Sequence, residues 1–463
     1  MNPRSALRTL LAFLAAATLH AQSQQTALVP HTLSYAPGKS ITLSLPSQFD
    51  INIAASGLHR VRFFAQAPDG RIFATGMYNR ADNTQGSVFI LDGWNAQTHT
   101  FAHVTHYLDC LHNPNNLAFY TEPAHDGHPG QTWLYLPLTD RLLRYKYNPG
   151  DNVPSGPPQV LAHFPNYGLG YKYGGWHLTR TVAVATLHGA TRIYIAAGSS
   201  CDYCRERETL RASLSVMDPD GSHWQVLAHG LRNAVDLRYV PNLDGGSLFA
   251  TNMGDDHLGD KLPEDTFFEV DSNDHPAPTP ANYGWPTCYF AHGKPTLDST
   301  PLPETVSATD PKAAATPDRT IAKAGTLLTA GGGNATTDPN ENLGKPPEPL
   351  TNCKNIPAAY TSFAAHSSPL GVAYFGADNS TLAGTFLIAL HGAGHPRIGT
   401  GYRLASLTPA DRTPRDFLTG FITFTNGQPT AHGRPCGLLR TGPDSFLLTD
   451  DYLGLIYFIH PKS

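Results

Sequence analysis

Between His229 and Tyr289 the chain sets three unusual groups close together. These are the pair Arg232-Asn233, the acidic glycine turn Gly254-Asp255-Asp256, and the rigid turn Tyr283-Gly284-Trp285-Pro286. A β-rich run, Ser247 to Thr251, empties into the acidic turn. A guanidinium beside a loop rich in carboxylates and carbonyls can hold an anionic ligand and a hard cation together. The same residues also fit a structural ion pair, Arg232 with Asp255 or Asp256. His177, in Trp176-His177-Leu178-Thr179-Arg180, stands where a loop gives way to the apolar run Val182 to Ala185. An imidazole there can turn into a cleft and act as a general base near neutral pH. With 22 histidines in the chain, a surface or structural role is the alternative.

Further along, Ala365-His366-Ser367-Ser368-Pro369 precedes a strand, and His391-Gly392-Ala393-Gly394-His395 ends one. Both could face a shared central funnel; solvated histidines and turn-forming serines are the alternative. Arg434, in Gly433-Arg434-Pro435, offers bidentate capture of a carboxylate, or merely stitches loops together. Asp450-Asp451 at a strand end suits a cation or a stop to edge pairing. The chain has no G-x-S-x-G elbow, no H-E-x-x-H, no paired CxxC of zinc spacing, no P-loop and no dinucleotide glycine fingerprint. Any redox cofactor must therefore be held by scattered loop residues.

Loops converge only if a repeated scaffold aims them. One pattern recurs: a turn, a compact run of β-branched and aromatic residues, then Thr, Gly or Asp. It appears at Ile72–Thr75, Thr132–Leu136, Thr191–Ile195, Ser247–Thr251, Thr385–Ile388 and Ser445–Thr449. Most copies stand roughly 60 residues apart, somewhat above a usual propeller repeat. Such a unit cannot bury its faces alone, and radial stacking lets neighbours cover one another. Six copies predict an all-β, six-bladed β-propeller. The long gap before Phe386 predicts a loop insertion at about 294–352, where Pro, Thr, Ala and Gly dominate and no core can form.

The 463 residues carry a net charge of −5, which gives no basic face for nucleic acid. Arg4 and Arg8 followed by the apolar run Leu10 to Leu19 read as an export signal over residues 1–21, too short to span a bilayer. Residues 22–463 would then form the mature propeller, periplasmic or extracellular. The six cysteines all follow that cut, which predicts disulfides. Cys201 and Cys204 fit a local bridge better than a redox dithiol, because no βαβ pattern surrounds them. Cys288 and Cys353 bracket the insertion. Cys110 and Cys436 either pair or stay free.

Taken in order, these motifs resemble the soluble quinoprotein glucose/sorbosone dehydrogenases, nearest the sorbosone branch. The likeness rests on Gly175-Trp-His177-Leu-Thr-Arg180, Ala197-Gly-Ser-Ser-Cys201, Gly230-Leu-Arg232-Asn233, Asn252-Met-Gly254-Asp255-Asp256 and Tyr283-Gly-Trp-Pro286. It continues through Ser367-Ser-Pro-Leu-Gly371, Gly401-Tyr402, Phe417-Leu-Thr-Gly420 and Gly433-Arg434-Pro435. The resemblance implies pyrroloquinoline quinone (PQQ) and Ca²⁺ in the central depression. It implies oxidation of an aldose or related sugar at C1, with hydride passing to the quinone C5 and electrons leaving to an external acceptor. His177 falls on the family's general base and Arg232 on the Arg that stabilises charge on the quinone. Asn233 and Arg434 fall on cofactor contacts, and Gly254 and Asp255 on the loop whose carbonyls hold Ca²⁺. The chain departs from the pattern at Asp236, where many relatives carry Gly, and at His391, near a cofactor-binding Lys of some members. His112 lies near a first-blade substrate loop. A carbohydrate-binding propeller without turnover and a Ca²⁺-dependent lactonase are the alternatives.

Overall fold

The six recurring runs become strands because each is apolar on both faces and is bounded by turns. Phe386–Leu390 and Thr132–Pro137, for example, are buried along their whole length. Strands of that kind need cover on both sides, and the neighbouring sheets supply it. The computed structural model describes residues 27–80, 82–124, 127, 129–165, 177–276, 278–303, 343–376 and 378–462.

Each run is the second strand of one of six sheets. The first strands are Val61–Gln66, Ala118–Thr121, Arg180–Leu187, Ala234–Val240, Pro369–Tyr374 and Pro435–Arg440, and each lies beside the next in a closed ring. The expected six-bladed propeller is therefore the architecture. Five blades have four strands; the third adds Ala281–Asn282, parallel to Gln225–His229. Ring closure joins the two ends of the chain. Phe49–Ala55 pairs antiparallel with Leu455–Pro461 as the outer strand of the sixth blade. Between blades the core is dense. Phe249, Phe267, Tyr360 and Phe386 meet edge-on or offset between the fourth and fifth blades, each such burial being worth about 1.5–3 kcal/mol.

The insertion sits between the third and fourth strands of the fourth blade. Its first residues are not loop, because Lys294–Leu297 pairs with Cys288–Ala291 in a hairpin. The chain returns to complete the blade with Thr361–Phe363 against Asp265–Ser272. The expected leader over residues 1–21, and residues 304–342 of the insertion, lie outside the described residues. No helix among the described residues is long and apolar enough to cross a membrane.

Cys201 bonds to Cys204 and Cys288 to Cys353, the second bridge closing the base of the insertion. Cys110 and Cys436 do not pair: the first is exposed and the second buried, with burial pushing its thiol up to about 12. A thiol reagent under native conditions is thus expected to label Cys110 alone, and Cys436 only after unfolding. Rapid native labelling of Cys436, read by peptide mass, would contradict this placement.

Candidate functional site

In an antiparallel blade, the start of the first strand and the end of the second lie at the same end. That rule gathers the site. His177 precedes the first strand of blade three, Arg232-Asn233 that of blade four, His366 and Ser368 that of blade five, and Arg434 that of blade six. Gly254 and His391 follow second strands. All of these residues line one axial cavity of about 280 Å³. Six of the seven site residues expected from sequence therefore share a basin. The seventh, Asp255, does not line it, and its carboxylate lies 2.8 Å from His257 Nδ1. The expectation for Asp255 concerns its main-chain carbonyl. Its side chain is buried beside His257.

His177 has a defined tautomer. Ser199 Oγ donates to the Cys201 carbonyl at 2.6 Å, so toward His177 Nδ1, 2.9 Å away, it accepts. Nδ1 carries the hydrogen, and Nε2 carries the lone pair a base needs. Burial, then the nearby Arg232 charge, holds the ring well below the usual histidine value, so it is neutral at physiological pH.

The cavity is lined by cations. Arg60, Arg62 and Arg80 come from blade one, Arg232 from blade four and Arg434 from blade six. Arg232 pairs with neither Asp255 nor Asp256, contrary to the plain ion-pair reading. It donates to Asp202 Oδ1 at 2.6 Å, to the Asp202 carbonyl at 2.8 Å and to the Gly254 carbonyl at 2.6 Å. Arg434 donates to the carbonyls of His391, at 3.1 Å, and Gly392. These are neutral acceptors, so the Arg434 charge stays available to an anion. His366 sits 3.0 Å from Asp256 and 2.9 Å from the Gly259 carbonyl, two acceptors that require both ring hydrogens. The Asp256 contact is the main cause that raises it to about 9.

Asp451 counters this charge from below. Its carboxylate meets Arg62 at 2.9 Å, Arg60 at 3.3 Å and His391 Nε2 at 2.8 Å, with none of its side chain exposed. Burial would raise its pKa, but His391, Arg60 and Arg62 outweigh that and hold it well below the carboxylate range. His391 itself is pushed down to about 3 by burial and by Arg434, against Asp451. His391 therefore faces Asp451 as a neutral donor and brings no cation of its own. Asp236, the other departure, is buried and accepts from the Val372 amide at 2.8 Å, joining blades four and five. His112 lies outside the cavity between Asp82 and Asp140.

Sequence reasoning missed Arg60 and Arg62, which sit in a plain alternating strand start, and Asp265. Asp265 accepts from the amides of Gly254 and Ser368, both at 2.7 Å, and so pins the acidic turn to blade five. A signal for Arg62 existed only as a charge inside the apolar segment Val61–Phe64.

No family model matches the chain. An uncharacterized protein of Borreliella burgdorferi is 29% identical over 113 residues, 24% of this chain. The match spans 30% of that protein's length. Solved structures match over nearly the whole chain. The PQQ domain of pyranose dehydrogenase from Coprinopsis cinerea, in its holo form, superposes with a TM-score of 0.58 at 17% identity, covering 90% of this chain and 97% of that one. The chain shares its fold. The carbohydrate-active family AA12 enzyme of Trichoderma reesei, in its iodide structure, superposes at 0.57 with 16% identity, over 95% of this chain and 99% of the other. The calcium structure of that enzyme gives 0.56 and 16%, over 96% and 100%.

Proposed function

We propose that this protein is an exported, PQQ- and calcium-dependent dehydrogenase that oxidises an aldose or related sugar at C1. The observation that carries the reading is electrostatic. Five guanidiniums and the His366 imidazolium surround one cavity that also contains a neutral, correctly tautomerised histidine. Arg62, Arg232 and Arg434 are buried, Arg60 and His366 are half-buried and Arg80 is exposed. The buried cations need anionic partners. Asp451 serves Arg60 and Arg62, Asp202 serves Arg232 and Asp256 serves His366, while Arg434 makes no direct ion pair among the described residues and donates to main-chain carbonyls. A small planar tricarboxylate answers that need, and bidentate Arg recognition suits it. Asn233 adds a buried Oδ1 with no hydrogen-bond partner among the described residues, an acceptor that a donor group of a ligand would satisfy and a carboxylate would not.

Arg232, Asn233 and Arg434 would hold the quinone, which when bound accepts a hydride at C5. His391, through its hydrogen bond to Asp451, fixes the wall beside Arg434. Gly254 and Asp256 also line the cavity and carry oxygens of the kind a hard cation takes, with the Asp255 carbonyl next in sequence. A bound cation would share the Gly254 carbonyl with Arg232 and the Asp256 carboxylate with His366. His177 takes the proton of the C1 hydroxyl at Nε2. Ser199 keeps that ring turned toward the cavity. Arg232 would stabilise the negative charge that hydride transfer places on the quinone. Reoxidation of the site would require an external two-electron acceptor.

Purified apo-protein should be loaded with PQQ and Ca²⁺ and offered a sugar panel with a dye acceptor. Retention of the quinone absorbance through gel filtration and sugar-dependent dye reduction are expected, both abolished by a chelator. Sugar binding without dye reduction, or ester hydrolysis that needs Ca²⁺ and no quinone, would overturn the reading.

A further inference from the structure

Neither Ser199 nor Asp202 lines the cavity, yet both hold residues that do. They lie in the loop after the second strand of blade three, Asp202 inside the turn that the Cys201–Cys204 disulfide closes and Ser199 just before it. Asp202 stands between the two cysteines. It takes two sides of the Arg232 fork, one through its carboxylate and one through its carbonyl. The same carboxylate oxygen accepts from the Asp256 amide at 2.8 Å, and the same carbonyl from Trp285 Nε1 at 3.2 Å. Asp202 therefore ties Arg232 to the acidic turn and to the Trp-Pro turn. Ser199 does the matching work for His177 through Oγ, and its amide donates to the Arg232 carbonyl at 2.8 Å.

The loop is fastened at both ends. Glu206 accepts from the Ser200 amide at 2.6 Å and its hydroxyl at 2.7 Å. The two cysteines are buried against Ala212 and Trp285. A bond across so short a segment leaves few conformations open to Asp202. We infer that the disulfide-closed turn Cys201–Cys204, together with the segment that leads into it, is the positioning element of the site, with Asp202 acting through Arg232 and Ser199 through His177. The inference rests on the proposed function for what those two groups act upon. The positioning itself is a property of the apo-protein.

The test therefore begins without cofactor. Phenylglyoxal modifies accessible guanidiniums, and peptide mass reports each arginine separately. In Asp202→Ala and in the Cys201→Ser/Cys204→Ser protein, the labelling rate of Arg232 should rise about tenfold or more relative to Arg434, as expected when a charge-assisted hydrogen bond is lost. Asp202→Asn keeps an acceptor oxygen and should rescue most of the protection. A second arm titrates PQQ by absorbance. Asp202→Ala should weaken binding about tenfold in the wild-type background and add nothing in an Arg232→Ala background. Equal labelling of Arg232 in all proteins, a parallel rise at Arg434, or additive losses in the double variant would each overturn the inference. Failure of wild-type protein to bind PQQ would count against the proposed function alone, because the labelling arm still decides the positioning.

Discussion

His177→Ala should lower turnover of the quinone-loaded protein by ~10²-fold or more, the usual cost of losing a general base. The argument runs from the tautomer. Ser199 fixes the hydrogen on Nδ1, so Nε2 is the basic atom, and burial with Arg232 keeps it unprotonated at neutral pH. A base works only when deprotonated. Because the folded-state value lies well below the ordinary histidine range, kcat/KM should stay flat through neutral pH and fall only in acid, below about 6.5. The loss in His177→Ala should appear in kcat and leave quinone binding nearly intact, since the cations that grip the cofactor are elsewhere. A variant that retains turnover within a few-fold, or an acid limb centred at pH 7 or above, would remove His177 from the chemistry.

The scaffold was legible in the sequence because a propeller repeats itself. Six compact apolar runs bounded by turns marked six second strands, and the same blade ends then gathered His177, Arg232, His391 and Arg434 without any knowledge of contacts. Legibility failed where a residue's role depends on a partner far away in the chain. Arg62 meets Asp451 across 389 positions and Asn115 across 53. Neither pairing leaves a local pattern. Asp451 read only as part of an acidic strand end, although it is the anion beneath the cavity. Arg232 was legible as a cation of the cavity, but its partner was not. Asp255 and Asp256 are nearer candidates by composition, yet Asp202, which stands between the bridged cysteines, meets it instead. The hairpin at Lys294–Leu297 was hidden because its strand runs straight into the low-complexity stretch.

Removing the anion beneath the site should cost the fold more than any other single change at the cavity. Asp451→Ala is expected to destabilise the apo-protein by about 3–5 kcal/mol, the range for breaking a buried ion pair by deleting one partner. The carboxylate is fully buried and meets Arg60, Arg62 and His391, so its loss leaves two guanidiniums facing one another with no anion between them. Its neighbour supplies the control. Asp450 is equally buried, but its pKa is pushed up to about 7 by burial, and it accepts from main-chain amides and from the Tyr457 hydroxyl at 3.1 Å. A group that near neutrality tolerates an amide, so Asp450→Asn should cost far less than Asp451→Asn. The pH dependence follows with a definite sign. Asp451 is depressed on folding, so its contribution is present above the unfolded carboxylate value, ~3.9, and is lost as pH falls through the folded one. His391, held at about 3, is protonated only in the unfolded chain between that value and about 6.5, so stability should fall as pH drops through this window. Denaturant midpoints measured from pH 8 to pH 4 should therefore decline in wild type, and less steeply in His391→Gln. An Asp451→Ala protein as stable as wild type would mean that the cluster of arginines is solvated rather than held, and the electrostatic case for an anionic cofactor would lose its footing.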